Sequence, residues 1–301
     1  MNRGRRRSAG RVLVAALGLL ALAACAKHVR RADPTADTPG TPADSVTVAL
    51  WRMDETGGTL AADAGPSRLD AVAGPDTRTI FGRFRGARLF TRSANSFLYA
   101  PFSPRLEAQS ALSVEAWVAP NAYALYEDSP IAARWSPTTA EHSWMFSLVG
   151  FNRPARLLIA EFGSNLGPGW HQEFVRGVPV GRLLFVFQPE GAGAPRTFYS
   201  LSSIELQRWT HVAVTFDGEV VRFYVNGQPD GTFATPGRIR ASQAPLLVGN
   251  FFDPRLLTDF GGDLRQGPAA DTAPWYAFDG AIDELRLSSS ARTVFPIRGG
   301  R

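Results

Sequence analysis

The sequence predicts an all-β protein in which two antiparallel sheets pack face to face as a sandwich. Three observations lead there. Apolar runs of strand length recur along the chain, with turn residues between them. Gly (29) and Pro (22) are frequent enough to supply those turns. No segment carries the 3.6-residue apolar period of an amphipathic helix.

The strongest element runs from Arg208 to Gly227, R-W-T-H-V-A-V-T-F-D-G-E-V-V-R-F-Y-V-N-G. Its first arm, Trp209 to Phe216, is aromatic and β-branched, as half-buried strands are. Asp217-Gly218 supplies the turn because both residues tolerate positive φ. In the second arm Val221, Phe223 and Val225 fall on one face, and Val220, Arg222 and Tyr224 on the other. Asn226-Gly227 closes it. Trp209, Val214, Phe216, Phe223 and Val225 are the expected core residues of the hairpin. The motif W-x-H-V-A-V-T-F-D-G with V-x-F-Y-V-N-G resembles the laminin-G-like, concanavalin-A-like lectin/glucanase superfamily. That resemblance implies a jelly-roll sandwich, and it implies a binding module in preference to an enzyme.

The N-terminus reads differently. Residues 1–24 combine basic Arg3 to Arg11, an apolar run Val12 to Leu22 and small residues, the three parts of a secretory signal. Leu22-Ala23-Ala24-Cys25 matches the bacterial lipobox, which makes Cys25 the expected site of lipidation. It is the only cysteine, so it has no internal disulfide partner. The apolar run is shorter than the ~20 residues of a membrane span, and a lipid anchor accounts for it. Residues 25–45 are rich in Pro, Thr and Asp and form a flexible tether. The expected product is an exported bacterial lipoprotein. Ala26 after the cysteine resembles the outer-membrane sorting pattern if the host is Gram-negative.

Charge excludes a nucleic-acid partner. The five arginines ahead of Cys25 account for the whole surplus and leave 27 basic against 27 acidic side chains, with Lys27 the single lysine. A phosphate-binding surface needs clustered cations in excess.

Residues 46–297 form the expected sandwich domain. Val46 to Met53 is its first strand, followed by D-E-T-G-G-T-L-A-A-D-A-G-P-S-R-L-D. Gly86 to Phe90, Phe97 to Ala100 and Leu112 to Val118 continue it. Between Asn121 and Gln207 the strand-like runs are Met145 to Val149, Leu157 to Phe162, Leu183 to Phe187 and Phe198 to Leu201. Pro245 to Asn250 is another, Asp253 to Ala273 reads as a long polar loop, and F-D-G-A-I-D-E-L-R-L-S closes the domain. The first, middle and last of these blocks resemble the superfamily's in the same order.

For chemistry, a glucanase would need two carboxylates at alternate strand positions facing one cleft. Asp279 to Glu284 does not keep that pattern, and there is no G-x-S-x-G nucleophile motif. The resemblance implies a structural calcium site instead, with Asp54, Asp70 and Asp283 as ligands and Asp63 as a fourth. Oxygen donors suit that hard cation. The competing reading is that such Asp residues cap turns. His211 reads as a hydrogen-bonded structural residue. Trp144, Trp170, Trp275 and Tyr276 fall in or beside the variable loops and are the expected sugar-stacking residues. The partner is then a carbohydrate, a glycan or envelope polysaccharide, with an envelope protein as the alternative.

Overall fold

The computed structural model describes residues 40–124, 128–151, 178–191, 193–266 and 277–297. Cys25, Trp170, Trp275, Tyr276 and the run Leu157 to Phe162 lie outside the described residues. The strands are β1 (Thr47–Trp51), β2 (Leu60–Ala61), β3 (Ala71–Ala73), β4 (Arg78–Phe81), β5 (Gly86–Phe90) and β6 (Leu98–Ala100). They continue as β7 (Leu112–Ala122), β8 (Ser129–Trp135), β9 (His142–Leu148), β10 (Arg182–Phe187), β11 (Arg196–Ser203) and β12 (Thr210–Phe216). The remainder are β13 (Val220–Val225), β14 (Gln228–Ala234), β15 (Leu246–Val248), β16 (Leu257–Phe260), β17 (Asp263–Gln266) and β18 (Asp279–Ser288).

Two antiparallel sheets form the sandwich. Sheet A has the order β14-β13-β12-β7-β18-β5-β4, with β1 also on β18, and sheet B the order β11-β10-β9-β8-β15-β6-β3-β2. The long closing strand β18 pairs with β7 along one side, while β5 and β1 share the other. First and last strands therefore lie side by side, Thr47 opposite Ser288 and Trp51 opposite Leu285.

The hairpin forms as expected, Val214 facing Phe223 and Phe216 facing Val221. Asn226 and Gly227 both adopt positive φ in the next turn. Val214, Phe216 and Phe223 are fully buried between the sheets, with Val225 packed against them. Trp209 departs from expectation. It precedes the strand and is only half-buried.

Alternation places the core. From sheet A, Val114, Ala116 and Val118 of β7 and Ile282, Leu285 and Leu287 of β18 point inward. From sheet B, Trp144, Phe146, Phe185 and Phe187 meet them. The outer face of sheet B carries a second apolar layer, Ala133, Trp135, Met145, Leu184, Val186 and Phe251. Beside it Phe97, Leu247 and Phe252 pack under the β16–β17 hairpin, which occupies what the sequence suggests is a plain loop. Among the described residues no helix is long and apolar enough to cross a membrane.

Candidate functional site

The four carboxylates expected to hold calcium fall into two groups. Asp63 is fully buried, and its oxygens accept the backbone N–H groups of Leu50 (2.8 Å), Gly65 (2.7 Å) and Leu69 (2.8 Å). Asp70 accepts the N–H of Asp63 at 2.9 Å. These two organise the loop after β1, as the turn-capping reading has it. The second group is Asp54 and Asp283, joined by Glu284. Asp54 accepts from Gly86 N–H at 3.0 Å, and Asp283 from Phe84 N–H at 3.0 Å. One oxygen of each, Asp54 Oδ2 and Asp283 Oδ1, is buried without a hydrogen bond.

Residue 284 creates this second cluster. Asp283 faces Trp117 and Arg286 faces Glu115, so two residues of β18 oppose one of β7, a β-bulge in which Glu284 has a φ of 52°. Glu284 turns to Thr41 N–H at 2.9 Å and to Arg52 at 3.4 Å. Burial, together with the charges of Glu284 and Asp54, pushes the Asp283 carboxyl up to about 9. Burial, opposed by Arg52 and Thr41, takes Glu284 up to about 7. Among the described residues no group of three or more His, Cys, Asp or Glu is arranged to hold a metal ion. The expected calcium set thus divides into two pairs, Asp63 with Asp70 and Asp54 with Asp283.

Trp144 corrects a second expectation. Strand parity sends it inward with Phe146, and it is 0% exposed in the core between the sheets, so it has no surface to offer a ligand. Its loop-side position in the sequence does not reveal the parity.

A cleft of about 270 Å³ opens instead on the outer side of sheet B, and its residues are ones the sequence reading does not single out. Tyr99 and Phe102 supply aromatic surface, Phe102 being 40% exposed. The turn after β8 brings Ser136, Thr139 and Glu141, the segment leading to β15 brings Gln243, and the short 3-10 turn Pro254–Leu256 brings Arg255.

The groups that line the cleft are held in place by their neighbours. Arg134 is fully buried and donates to the carbonyls of Leu106 (2.8 Å), Ser242 (2.6 Å) and Ala244 (3.3 Å), with Glu107 as its counterion at 2.9 Å. Its guanidinium lies 5.9 Å from the Phe102 ring centre. Glu141 Oε2 accepts Ser242 Oγ at 3.0 Å and Gln243 N–H at 2.5 Å. Asp253 holds Arg255 through Nε and Nη2, with Thr138 hydrogen-bonded to both. Burial acts to raise the Asp253 carboxyl, but Arg255 and Thr138 outweigh it and leave it below the usual carboxylate range. The exposed Arg255 guanidinium is thus fixed in direction before any ligand arrives.

Sequence comparison with curated proteins returns no match. Similar solved structures show the same fold at low identity. The binding domain of Paraclostridial Mosquitocidal Protein 1 aligns with a TM-score of 0.51 at 10% identity, covering 82% of this chain and 49% of that one. The botulinum neurotoxin serotype G binding domain aligns with a TM-score of 0.50 at 14% identity, covering 82% and 48%. Domain 4 of an extracellular arabinanase from Geobacillus stearothermophilus, solved with arabinotriose, aligns at 0.49 and 17% identity, covering 83% and 95%. The chain therefore spans about half the length of the two toxin structures. A laminin-G family model, described as concanavalin A-like lectin/glucanases superfamily, matches residues 92–267. With that match spanning more than half of the sequence, and with two antiparallel sheets in the expected order, the chain belongs to the laminin-G-type family of the concanavalin A-like lectin/glucanase superfamily.

Proposed function

We propose that the chain is a non-catalytic carbohydrate-binding module, exported and held at a membrane by lipid on Cys25. The observation that carries the binding reading is the cleft at Tyr99 and Phe102. It pairs aromatic surface with a fixed guanidinium and with Glu141, Thr139 and Gln243 at its rim. A sugar ring has an apolar C–H face and a belt of hydroxyls, and an aromatic wall with a few oriented polar groups matches both. The cleft is small, near the lower end of the ~300–1,000 Å³ range of ligand pockets, and suits a short saccharide unit.

Hydrolysis is disfavoured by the same geometry. A glycosidase needs one carboxylic acid kept protonated to donate to the leaving oxygen. Asp253 is held ionised by Arg255, and Glu141 accepts two hydrogen bonds from protein groups. The lipid anchor is supported by the lipobox at residues 22–25, the single cysteine and the polar tether. In a Gram-negative host Ala26 favours the outer membrane.

A glycan array probed with the full chain tests the reading. Saturable binding to a defined set of sugars is expected, without release of reducing ends. Phe102→Ala and Arg255→Ala should each weaken it about tenfold, corresponding to roughly 1.4 kcal/mol. Silence on the array, together with capture of a defined envelope protein, would replace this reading with the protein-binding one.

A further inference from the structure

A second opening lies at one margin of the sandwich, between edge strand β4 of sheet A and the chain that leads into β2, the edge of sheet B. Pairing fixes which way the side chains of β4 face. Thr79 lies opposite Arg88 and Phe81 opposite Gly86, while Arg88 lies opposite Ile282 of the inter-sheet core. Phe81 therefore sits on the inward side of sheet A, the side on which Phe90 is completely buried.

Phe81 is nevertheless 95% exposed. The reason is geometric. Arg88 closes the inter-sheet space by donating to the carbonyls of Gly58 (3.0 Å) and Leu60 (2.7 Å), and sheet B ends at β2. Among the described residues sheet B has no strand beyond β2 to stand opposite β4. What remains is a groove of about 780 Å³ lined by Asp54, Glu55, Thr56, Thr79, Ile80, Phe81, Arg85 and Gly86.

The chemistry of the lining narrows the occupant. Phe81 offers a free aromatic face, and Thr56 and Thr79 offer hydroxyls beside it. Charges along the groove offset one another. Glu55 pairs with Arg88 at 3.4 Å, and Asp54 sits near Arg85. A charged ligand gains little there, whereas a neutral polyol with one C–H-rich face matches both the ring and the threonine hydroxyls.

We propose that this lateral groove is a second saccharide seat, taking a neutral sugar stacked on Phe81 with its hydroxyls toward Thr56 and Thr79. The proposal rests on the carbohydrate reading of the module and extends it. Two separate seats would let one chain engage two sugar units, so that binding to a polymer exceeds binding to a short fragment through effective concentration.

The test uses the full chain and three neutral probes, maltotriose, cellotriose and arabinotriose, by titration calorimetry and crystal soaking. The expected result is that a probe which binds does so at two molecules per chain. Phe81→Ala should then leave one, Phe102→Ala should leave the other, and neither variant should change the melting temperature, since both rings are exposed. A wild-type stoichiometry of one, unchanged by Phe81→Ala, would overturn the second seat and leave the first intact. Failure of all three probes to bind would overturn the second seat as a neutral-sugar site, while the first continues to stand or fall on the glycan array.

Discussion

Glu115 of β7 and His211 of β12 meet across adjacent strands, with His211 Nε2 at 3.0 Å from Glu115 Oε2, both buried on the outer face of sheet A. Arg286 of β18 donates from Nε to the other oxygen of Glu115 at 2.6 Å. Trp117 and Phe295 pack their rings against His211 and close the site to water. One carboxylate thus ties three neighbouring strands of one sheet.

Removing that carboxylate strands a buried guanidinium. Glu115→Ala should cost about 3–5 kcal/mol, because breaking a buried pair leaves an uncompensated charge. Urea unfolding checks it, and a loss below about 1 kcal/mol would show that the cluster is not load-sharing. Burial raises the Glu115 carboxyl, but His211 and Arg286 outweigh it and hold it below its ordinary value of 4.5. Its stabilising contribution is therefore present above that value and is lost as the pH falls below it.

Asp283 carries the opposite sign. Its carboxyl is raised from 3.8 to about 9, so the folded state keeps a proton that the unfolded chain releases. Its contribution is complete below 3.8 and is lost progressively as the pH rises through 9. In chelator, Asp283→Asn should raise the melting temperature at neutral pH by a few degrees, a shift of the size expected from ~1 kcal/mol. It should also flatten the decline in stability between acid and alkaline pH. Thermal unfolding across that range decides it. A rise on adding calcium that disappears in Asp283→Asn would show the cation taking the place of the proton.

The core of the hairpin gives a test of strand parity. Phe223 is fully buried and packs edge-on with Phe233 at 6.2 Å between ring centres. Phe223→Ala should cost about 3–5 kcal/mol through lost transfer energy and a cavity. Denaturant midpoints at constant slope measure it, and Val220→Ala on the half-buried opposite face should cost far less.

The anchor is tested by Cys25→Ser. The variant should lose its acyl chains and move from the membrane to the soluble fraction, because each buried methylene contributes about 0.8 kcal/mol and two chains are needed for stable attachment. Fractionation with mass spectrometry of the wild-type N-terminus reads both consequences. Full membrane retention by the variant would reject the anchor.

The elements legible in the sequence are those whose information is local. The 208–227 hairpin carries its own turns and alternation, and the buried faces of β12 and β13 follow from it. What escaped depends on distant pieces. Trp144 looked like a loop residue because nothing in its neighbourhood states which sheet face is covered. The cleft draws Tyr99 from β6 and Glu141 and Arg255 from two separate connections, and no spacing announces their meeting. The bulge at Glu284 brings consecutive carboxylates into one cluster, where simple alternation sends them to opposite faces.

The position of β18 has a kinetic consequence. β18, the last of the described strands in chain order, belongs in the middle of sheet A, between β7 and the pair β5 and β1. Until residue 288 is available, three strands made much earlier wait with open edges, and the loop to be closed between Thr47 and Ser288 spans nearly the entire domain. Folding should therefore be slow and dominated by distant pairings. A chain stopped short of Asp279 would be a collapsed, sticky intermediate.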